Sequence, residues 1–224
     1  MRTLALTAVL FDMDGTLVDS VDLHARAWRE TLARFGIERD LGEIRARIGM
    51  GGDHLLPALV DRATLAAIGE ETIAAARGEL FRAEYLPLVR GFPGARELIL
   101  RLREDGYAVA LATSAQSEEL AALKQAAGID DLIDDQITAD DVGSSKPEPD
   151  IFTAAIAHLG LDDPHRAIVV GDSPWDALAA ARAQLACIGV RCGGFADVDL
   201  RRVGVTEIYD DPADLLAHYD EVFG

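Results

Sequence analysis

Short apolar runs, each ending at a polar residue, recur along the 224-residue chain and alternate with longer stretches of helical spacing. Ala8-Val9-Leu10-Phe11 stops at Asp12, Val109-Ala110-Leu111-Ala112 at Thr113, and Ala167-Ile168-Val169-Val170 at Gly171-Asp172, with Cys187-Ile188-Gly189-Val190 following. An unbroken run of this length fits a strand covered on both faces, as in a parallel sheet. Between the runs, Ala95 to Arg103, Glu118 to Ala127 and Ile151 to Leu159 carry apolar positions at helical intervals, and Gly128 and Gly160 stand as C-terminal stops. Strand alternating with helix predicts an α/β fold, a doubly wound parallel, Rossmann-like sheet. Such sheets bind ligands at the carboxyl ends of their strands, so Asp12, Asp14, Thr113 and Asp172 are expected to converge on one site.

From about Asp19 to Leu88 the pattern changes. Leu23, Ala27, Trp28, Thr31, Leu32 and Phe35 follow helical spacing, and no convincing strand appears before Ala108. This predicts an inserted α-helical cap domain over residues 19–88, with residues 1–18 and 89–224 forming the α/β core. The insertion leaves the core just after the Asp-rich turn and returns through Leu86-Pro87-Leu88-Val89-Arg90-Gly91-Phe92-Pro93-Gly94, a stretch suited to a hinge. An insertion rooted there would lie over the site as a lid.

Composition narrows the partners. Half of the residues are hydrophobic, yet no apolar run approaches the roughly 20 residues of a membrane-spanning helix. Met1 to Leu6 runs into a strand-like segment without a signal-peptide pattern, so a cytoplasmic protein is expected. Thirty-nine acidic against twenty-one basic residues give a formal charge of −18, which repels nucleic-acid backbones and anionic membranes. Neither is an expected partner; a monomer or weak homodimer acting on a small metabolite is. The same charge would repel an anionic substrate unless a metal ion, a lysine or backbone N–H groups supply positive charge locally. Cys187 and Cys192 lack metal-ligand spacing and are read as thiols without chemistry.

Four segments carry candidate chemistry. Asp12-Met13-Asp14-Gly15-Thr16 sets two carboxylates two residues apart on a turn after a buried strand; the plain alternative is an ordinary strand-end turn. Thr113 and Ser114, between a strand and a helix, offer a hydroxyl and N–H groups to an anion, or else cap the helix. Lys146, in Ser144-Ser145-Lys146-Pro147-Glu148-Pro149-Asp150, is one of only two lysines beside nineteen arginines. A compact ammonium is suited to neutralising a crowded carboxylate and phosphate where a planar guanidinium fits poorly. Gly171-Asp172-Ser173-Pro174-Trp175-Asp176 offers two carboxylates to a hard cation, although Ser173-x-x-Asp176 with Pro174 also reads as a capping box.

In their order and spacing these segments resemble the motifs of the haloacid dehalogenase superfamily: Asp-x-Asp-Gly-Thr, a strand-end Thr, Lys-Pro-x-Pro followed by Phe152, and Gly-Asp-x-x-x-Asp. The resemblance implies that Asp12 attacks phosphorus and Asp14 acts as acid and then base, while Thr113, with Ser114, and Lys146 bind phosphate. It implies Mg²⁺ held by Asp12, the backbone carbonyl of Asp14 and Asp172, with Asp176 in support. Asp14 also argues against carbon–halogen hydrolysis, whose enzymes in the family lack an aspartate there.

The insertion resembles the helical cap of the phosphoglycolate phosphatase and β-phosphoglucomutase branch. Ile48-Gly49-Met50-Gly51-Gly52-Asp53 resembles that branch's specificity loop, which makes Gly49, Met50, Gly51 and Gly52 substrate-contact candidates; a helix connection with Asp53 as N-cap explains the glycines as well. His24 and Trp28 align with cap residues of the mutase, His24 being a further substrate-contact candidate or simply a polar residue of the first cap helix. The mutase's loop arginine falls at Gly52, and Arg45 and Arg47 are the substitutes close by. The cap has no lysine for a Schiff base. The expected function is a Mg²⁺-dependent phosphatase acting on a small phosphorylated metabolite, with a phosphomutase and a non-catalytic binding protein as the alternatives.

Overall fold

A computed structural model describes residues 6–133 and 135–224. Most of the strand-like start at Met1 to Leu6 lies outside the described residues. The strands are β1 (Ala8–Phe11), β2 (Val18–Asp19), β3 (Arg90–Gly91), β4 (Ala108–Ala112), β5 (Gln136–Ile137), β6 (Ala167–Gly171), β7 (Ala186–Val190) and β8 (Ile208–Tyr209). Six of them form one sheet in the order β5-β4-β1-β6-β7-β8, every pair parallel. The fold is the doubly wound α/β class that the alternating pattern predicts.

Strand alternation sorts the core into two layers. Val9, Phe11, Val109, Leu111, Val170 and Ile188 pack into one buried cluster, while Ala8, Leu10, Ala110, Ala112, Ala167 and Val169 pack into another. Successive side chains point to opposite faces of a strand, so both faces of a central parallel sheet need an apolar cover and the runs are apolar throughout. The first layer takes Leu98, Ile99 and Leu102 of α6 (Ala95–Glu104) with Leu120 and Leu123 of α7 (Ser117–Ala127). The second takes Ile151, Phe152 and Ala155 of α8 (Asp150–His158) with Ala179 and Ala180 of α9 (Pro174–Arg182). The second layer is the smaller and is rich in alanine.

Between β2 and β3 run five α-helices, α1 (Val21–Arg34), α2 (Leu41–Arg45), α3 (Gly52–Leu59), α4 (Arg62–Ile68) and α5 (Glu70–Leu80), followed by a π-helical turn at Phe81–Tyr85 and a 3-10 turn at Leu86–Leu88. They bury an apolar cluster of their own, including Trp28, Leu32, Ile44, Leu55, Leu56 and Ile73. Asp40 and Asp61 cap α2 and α4 by accepting backbone N–H bonds from the first turn. The expectation of no strand before Ala108 needs correction at the root of this insertion. Val18 pairs with Gly91 and Asp19 with Arg90 in a two-residue antiparallel ribbon, extended by Phe92 N–H donating to the Leu17 carbonyl. Two residues are too few for a period of two to stand out in the sequence. The chain closes with α10 (Asp197–Arg202), α11 (Pro212–Ala217) and α12 (Tyr219–Val222). Among the described residues no helix is long and apolar enough to cross a membrane.

Candidate active site

The strand ends supply the site's floor. Asp12 follows β1, Thr113 follows β4 and Asp172 follows β6, and since these three strands are adjacent and parallel their ends share one edge of the sheet. Asp12, Thr113 and Asp172 are all buried. The turn after Asp12 folds back on itself: Gly15 N–H donates to the Val18 carbonyl, and Leu17 and Val18 N–H both donate to that of Met13. Gly15 sits at φ +87°, and a Cβ there would come within 2.5 Å of Asp172 Oδ2; at Gly193 it would come within 1.7 Å of the same atom. Glycine at both positions is what allows backbone to close around the Asp172 carboxylate.

Lys146 is fully enclosed, with Nζ 2.6 Å from Asp12 Oδ1 and 2.7 Å from Asp176 Oδ1. Burial disfavours its charge, but Asp12 and Asp176 outweigh burial and hold the ammonium above its ordinary value. Asp176 has both parts that its sequence allows. Its Oδ2 accepts from Ser173 N–H and Oγ–H in a capping box that starts α9, while Oδ1 faces Lys146.

Asp12, Asp172 and Asp176 bring one carboxylate oxygen each within 4.8 Å of one another. Burial pushes the Asp12 carboxyl up to about 7, and Asp176 and Asp14 add to the rise against the pull of Lys146. Burial also drives Asp172 well above the usual carboxylate range, with Asp176 and Asp12 adding to it. Ionised together, the three carboxylates would leave two negative charges in excess of the one ammonium, and Asp172 Oδ2 is buried without a hydrogen-bond partner. A divalent cation with oxygen ligands fits both facts. The Asp14 side chain is not part of this cluster.

Asp14 instead points into a hydrogen-bonded wall. Its Oδ1 accepts from Ser20 Oγ–H at 2.6 Å and lies 2.8 Å from His24 Nε2. An arginine N–H can only donate, so the close contact of Arg77 with His24 Nδ1 leaves Nε2 as the protonated nitrogen, which donates to Asp14. Burial would raise the Asp14 pKa, but His24, Ser20 and Arg77 more than offset it and hold the carboxyl below its ordinary value. The His24 ring is itself fixed by stacking on Phe81, with centroids 4.0 Å apart.

A cavity of about 140 Å³ joins these groups. It is lined by Asp12, Asp14, His24, Trp28, Thr113 and Ser114, and by Ile48, Gly49, Met50, Gly51 and Gly52 of the loop before α3. The structure thus brings the loop glycines and His24 to the same space as the strand-end residues, with Lys146, Asp172 and Asp176 buried alongside Asp12. Two plain alternatives do not hold. Thr113 is not the cap of α7, whose N-cap is Gln116; its Oγ1 accepts from Ala115 N–H. Asp53 is not the N-cap of α3, which is Gly51; its carboxylate binds Ser145, accepting from N–H at 3.1 Å and from Oγ–H.

Arg45 and Arg47 do not reach the cavity. Arg45 donates to Asp22 and to the carbonyls of Gly193 and Gly194, and Arg47 to the Glu43 carbonyl. The arginine on the cavity wall is Arg77, from α5, which lies over the rings of Phe81 and Trp28 and pairs with Glu119 at 3.1 Å. Sequence reasoning missed both members of this pair. Arg77 sits among small residues, Ala74-Ala75-Ala76, with Ala74 one turn earlier on the same wall. Glu119 reads as an ordinary acidic residue in the first turn of α7, where the helix dipole favours it.

Comparison with known proteins gives a consistent picture. The family described as haloacid dehalogenase-like hydrolase matches residues 6–184. The Dickeya dadantii protein named Probable phosphatase IndB is 37% identical, over 83% of this chain and 81% of that protein. The phosphoglycolate phosphatase of Rhodospirillum rubrum is 31% identical, over 93% of this chain and 88% of its own length. The chloroplastic protein Suppressor of quenching 1 of Arabidopsis thaliana is 31% identical over 92% of this chain, which spans only 20% of that protein. The crystal structure of a hydrolase from Pseudomonas syringae superposes with a TM-score of 0.89 at 32% identity, covering 97% of this chain and all of that one, 100%.

Proposed function

The chain belongs to the haloacid dehalogenase-like hydrolase family, and on that premise we propose a Mg²⁺-dependent phosphatase that takes a small phosphomonoester, phosphoglycolate-like or sugar-phosphate-like, through a phosphoryl group carried on Asp12. Residues 1–18 and 89–224 are its core and residues 19–88 its cap. The observation that carries the reading is the division of labour between two carboxylates on one cavity wall, Asp12 against Lys146 and Asp14 against His24.

An Asp12 carboxylate oxygen attacks phosphorus while the bond from phosphorus to the ester oxygen breaks. Asp14, protonated on entry of the anionic ester, gives its proton to that oxygen and the alcohol leaves. The ionised Asp14 then takes a proton from water as the water attacks the acyl phosphate, releasing inorganic phosphate and restoring Asp12. Both Asp14 hydrogen bonds fall on Oδ1, which leaves Oδ2 as the oxygen for proton transfer. The low Asp14 pKa suits the second step, and the charge of the arriving phosphate raises it for the first. Thr113 and Ser114 donate to phosphoryl oxygens, and Lys146 neutralises Asp12 together with the transferring group. Asp12, Asp172 and the Asp14 carbonyl are the proposed ligands of Mg²⁺, supported by Asp176; the bound ion supplies charge neutralisation and orientation of the phosphoryl group.

The test is phosphate release from a panel of small phosphate esters, with and without Mg²⁺, with the alcohol and any isomerised ester followed in the same incubation. Mg²⁺-dependent release supports the reading. Isomerisation much faster than release would favour a phosphomutase, and binding without turnover would favour a non-catalytic protein.

A further inference from the structure

Two residues that line the cavity each carry a buried polar atom with no hydrogen-bond partner, Glu119 Oε2 and Arg77 Nε. The other atoms of this pair are committed, since Arg77 Nη1 donates to Glu119 Oε1 and Nη2 to His24 Nδ1. Glu119 is only 1% exposed. A buried polar group left unsatisfied keeps its full desolvation penalty, so two of them on paired residues that line a ligand cavity mark contacts a ligand can complete. An ionised carboxylate oxygen only accepts and an arginine Nε–H only donates. A hydroxyl group meets both demands at once, donating its proton to Oε2 and accepting from Nε–H.

We propose, resting on the phosphatase reading above, that Glu119 and Arg77 read a hydroxyl of the substrate's alcohol portion, so that the enzyme takes phosphate esters of neutral polyols or sugars in preference to phosphorylated carboxylic acids. Charge favours the same choice. Arg77 is the only lysine or arginine among the described residues lining the cavity, and Glu119 already neutralises it. A second anionic group would have to displace Glu119 from Arg77 while the carboxylates of Asp14 and Asp140 stand on the same wall. The adjoining groove adds Asp53, Glu70 and Glu71. The cavity of about 140 Å³ takes in the phosphoryl end at Asp12 and Thr113 as well as the wall at Arg77 and Glu119, so it suits a small ester. Glu119 comes from α7, so this part of the specificity lies in the core and the cap supplies only its partner.

The experiment compares carbon-matched esters that differ only in hydroxymethyl against carboxylate: 2-hydroxyethyl phosphate against phosphoglycolate, and glycerol 3-phosphate against 3-phosphoglycerate. Phosphate release with saturating Mg²⁺ should give a kcat/KM for each polyol ester about tenfold or more above its acid partner. In Glu119→Gln the acceptor is weakened and Arg77 loses its counter-charge, so the ratio should move toward the acids by about tenfold or more, mainly through KM. A ratio taken within one preparation does not depend on how much of the variant folds. Wild-type preference for the acids, or a ratio unmoved by Glu119→Gln, overturns the proposal. p-Nitrophenyl phosphate carries neither group and separates the two readings. If the wild type hydrolyses it with Mg²⁺ yet prefers the acids, only the hydroxyl reading falls; if the wild type hydrolyses no ester, the phosphatase reading falls with it.

Discussion

Lys146 Nζ stands 2.6 Å from Asp12 Oδ1 across a sequence separation of 134 residues, in a site where both side chains are buried. An ammonium fits this space and a guanidinium does not, because Lys146 has no exposed surface into which a larger group can extend. Lys146→Arg should therefore lower kcat/KM by on the order of a hundredfold, with a stability loss of about 1–3 kcal/mol from overpacking. Lys146→Met removes the charge and leaves Asp12 and Asp176 buried without it, which should cost about 3–5 kcal/mol of stability. Phosphate release and urea denaturation measure the two effects; wild-type values for both variants would place Lys146 outside the chemistry.

Asp12→Asn is nearly isosteric, and Lys146 keeps Asp176 as a partner in that variant. Turnover should fall by at least about a thousandfold, because an amide is a poor nucleophile toward phosphorus. The melting temperature without metal should stay level or rise, since the substitution removes one carboxylate from a crowded buried cluster. Calorimetry and phosphate release on the same sample decide it, and retained turnover would remove Asp12 as nucleophile.

The strand-end logic explains which parts of this arrangement could be read beforehand. Asp12, Thr113 and Asp172 each follow an apolar run, and adjacency of β4, β1 and β6 brings them to one edge. The Arg77–Glu119 pair joins an insertion helix to a core helix 42 positions away, and neither residue stands out from surface charge until that long-range bond is seen. For the same reason Arg45 and Arg47, close to the glycine loop in sequence, looked like candidates for the cavity cation. Arg45 turns instead to carbonyls 148 and 149 positions away. The β2–β3 ribbon escaped for a different cause: pairing, not periodicity, defines strands of two residues.

The clustered carboxylates make metal and pH interdependent. Asp12 is pushed from an unfolded value of 3.8 up to about 7 by burial and by its acidic neighbours, and Asp172 moves the same way. A carboxyl whose folded pKa is raised contributes stability that is fully present below its unfolded value and is lost as pH climbs through the folded one. The metal-free protein should thus lose the Asp12 contribution between about pH 4 and pH 7, with Asp172 adding a loss in the same direction. Mg²⁺ binds the ionised carboxylates, so it should raise the melting temperature more at about pH 8 than at about pH 6, and its affinity should rise across that interval. Calorimetry in EDTA or Mg²⁺ at the two pH values is the measurement. An equal increment at both would show that the cluster does not bind the ion.

His24 controls the second carboxylate by the opposite means. Its Nε2–H reaches Asp14 Oδ1 at 2.8 Å, and it makes the largest of the contributions that lower the Asp14 pKa against burial. His24→Ala leaves the burial and removes that contribution, so Asp14 should titrate at a higher pH. If ionised Asp14 activates water in the second step, the acid limb of the pH–kcat profile then shifts to higher pH, while the plateau above it changes less. Ser20→Ala should shift the limb in the same direction by a smaller amount, because the Ser20 hydrogen bond lowers the Asp14 pKa less than His24 does. His24→Gln restores an N–H donor at a similar reach and should bring the limb part of the way back. A profile lowered uniformly in His24→Ala, with its acid limb unmoved, would mean that His24 serves only to pack Phe81 and Arg77.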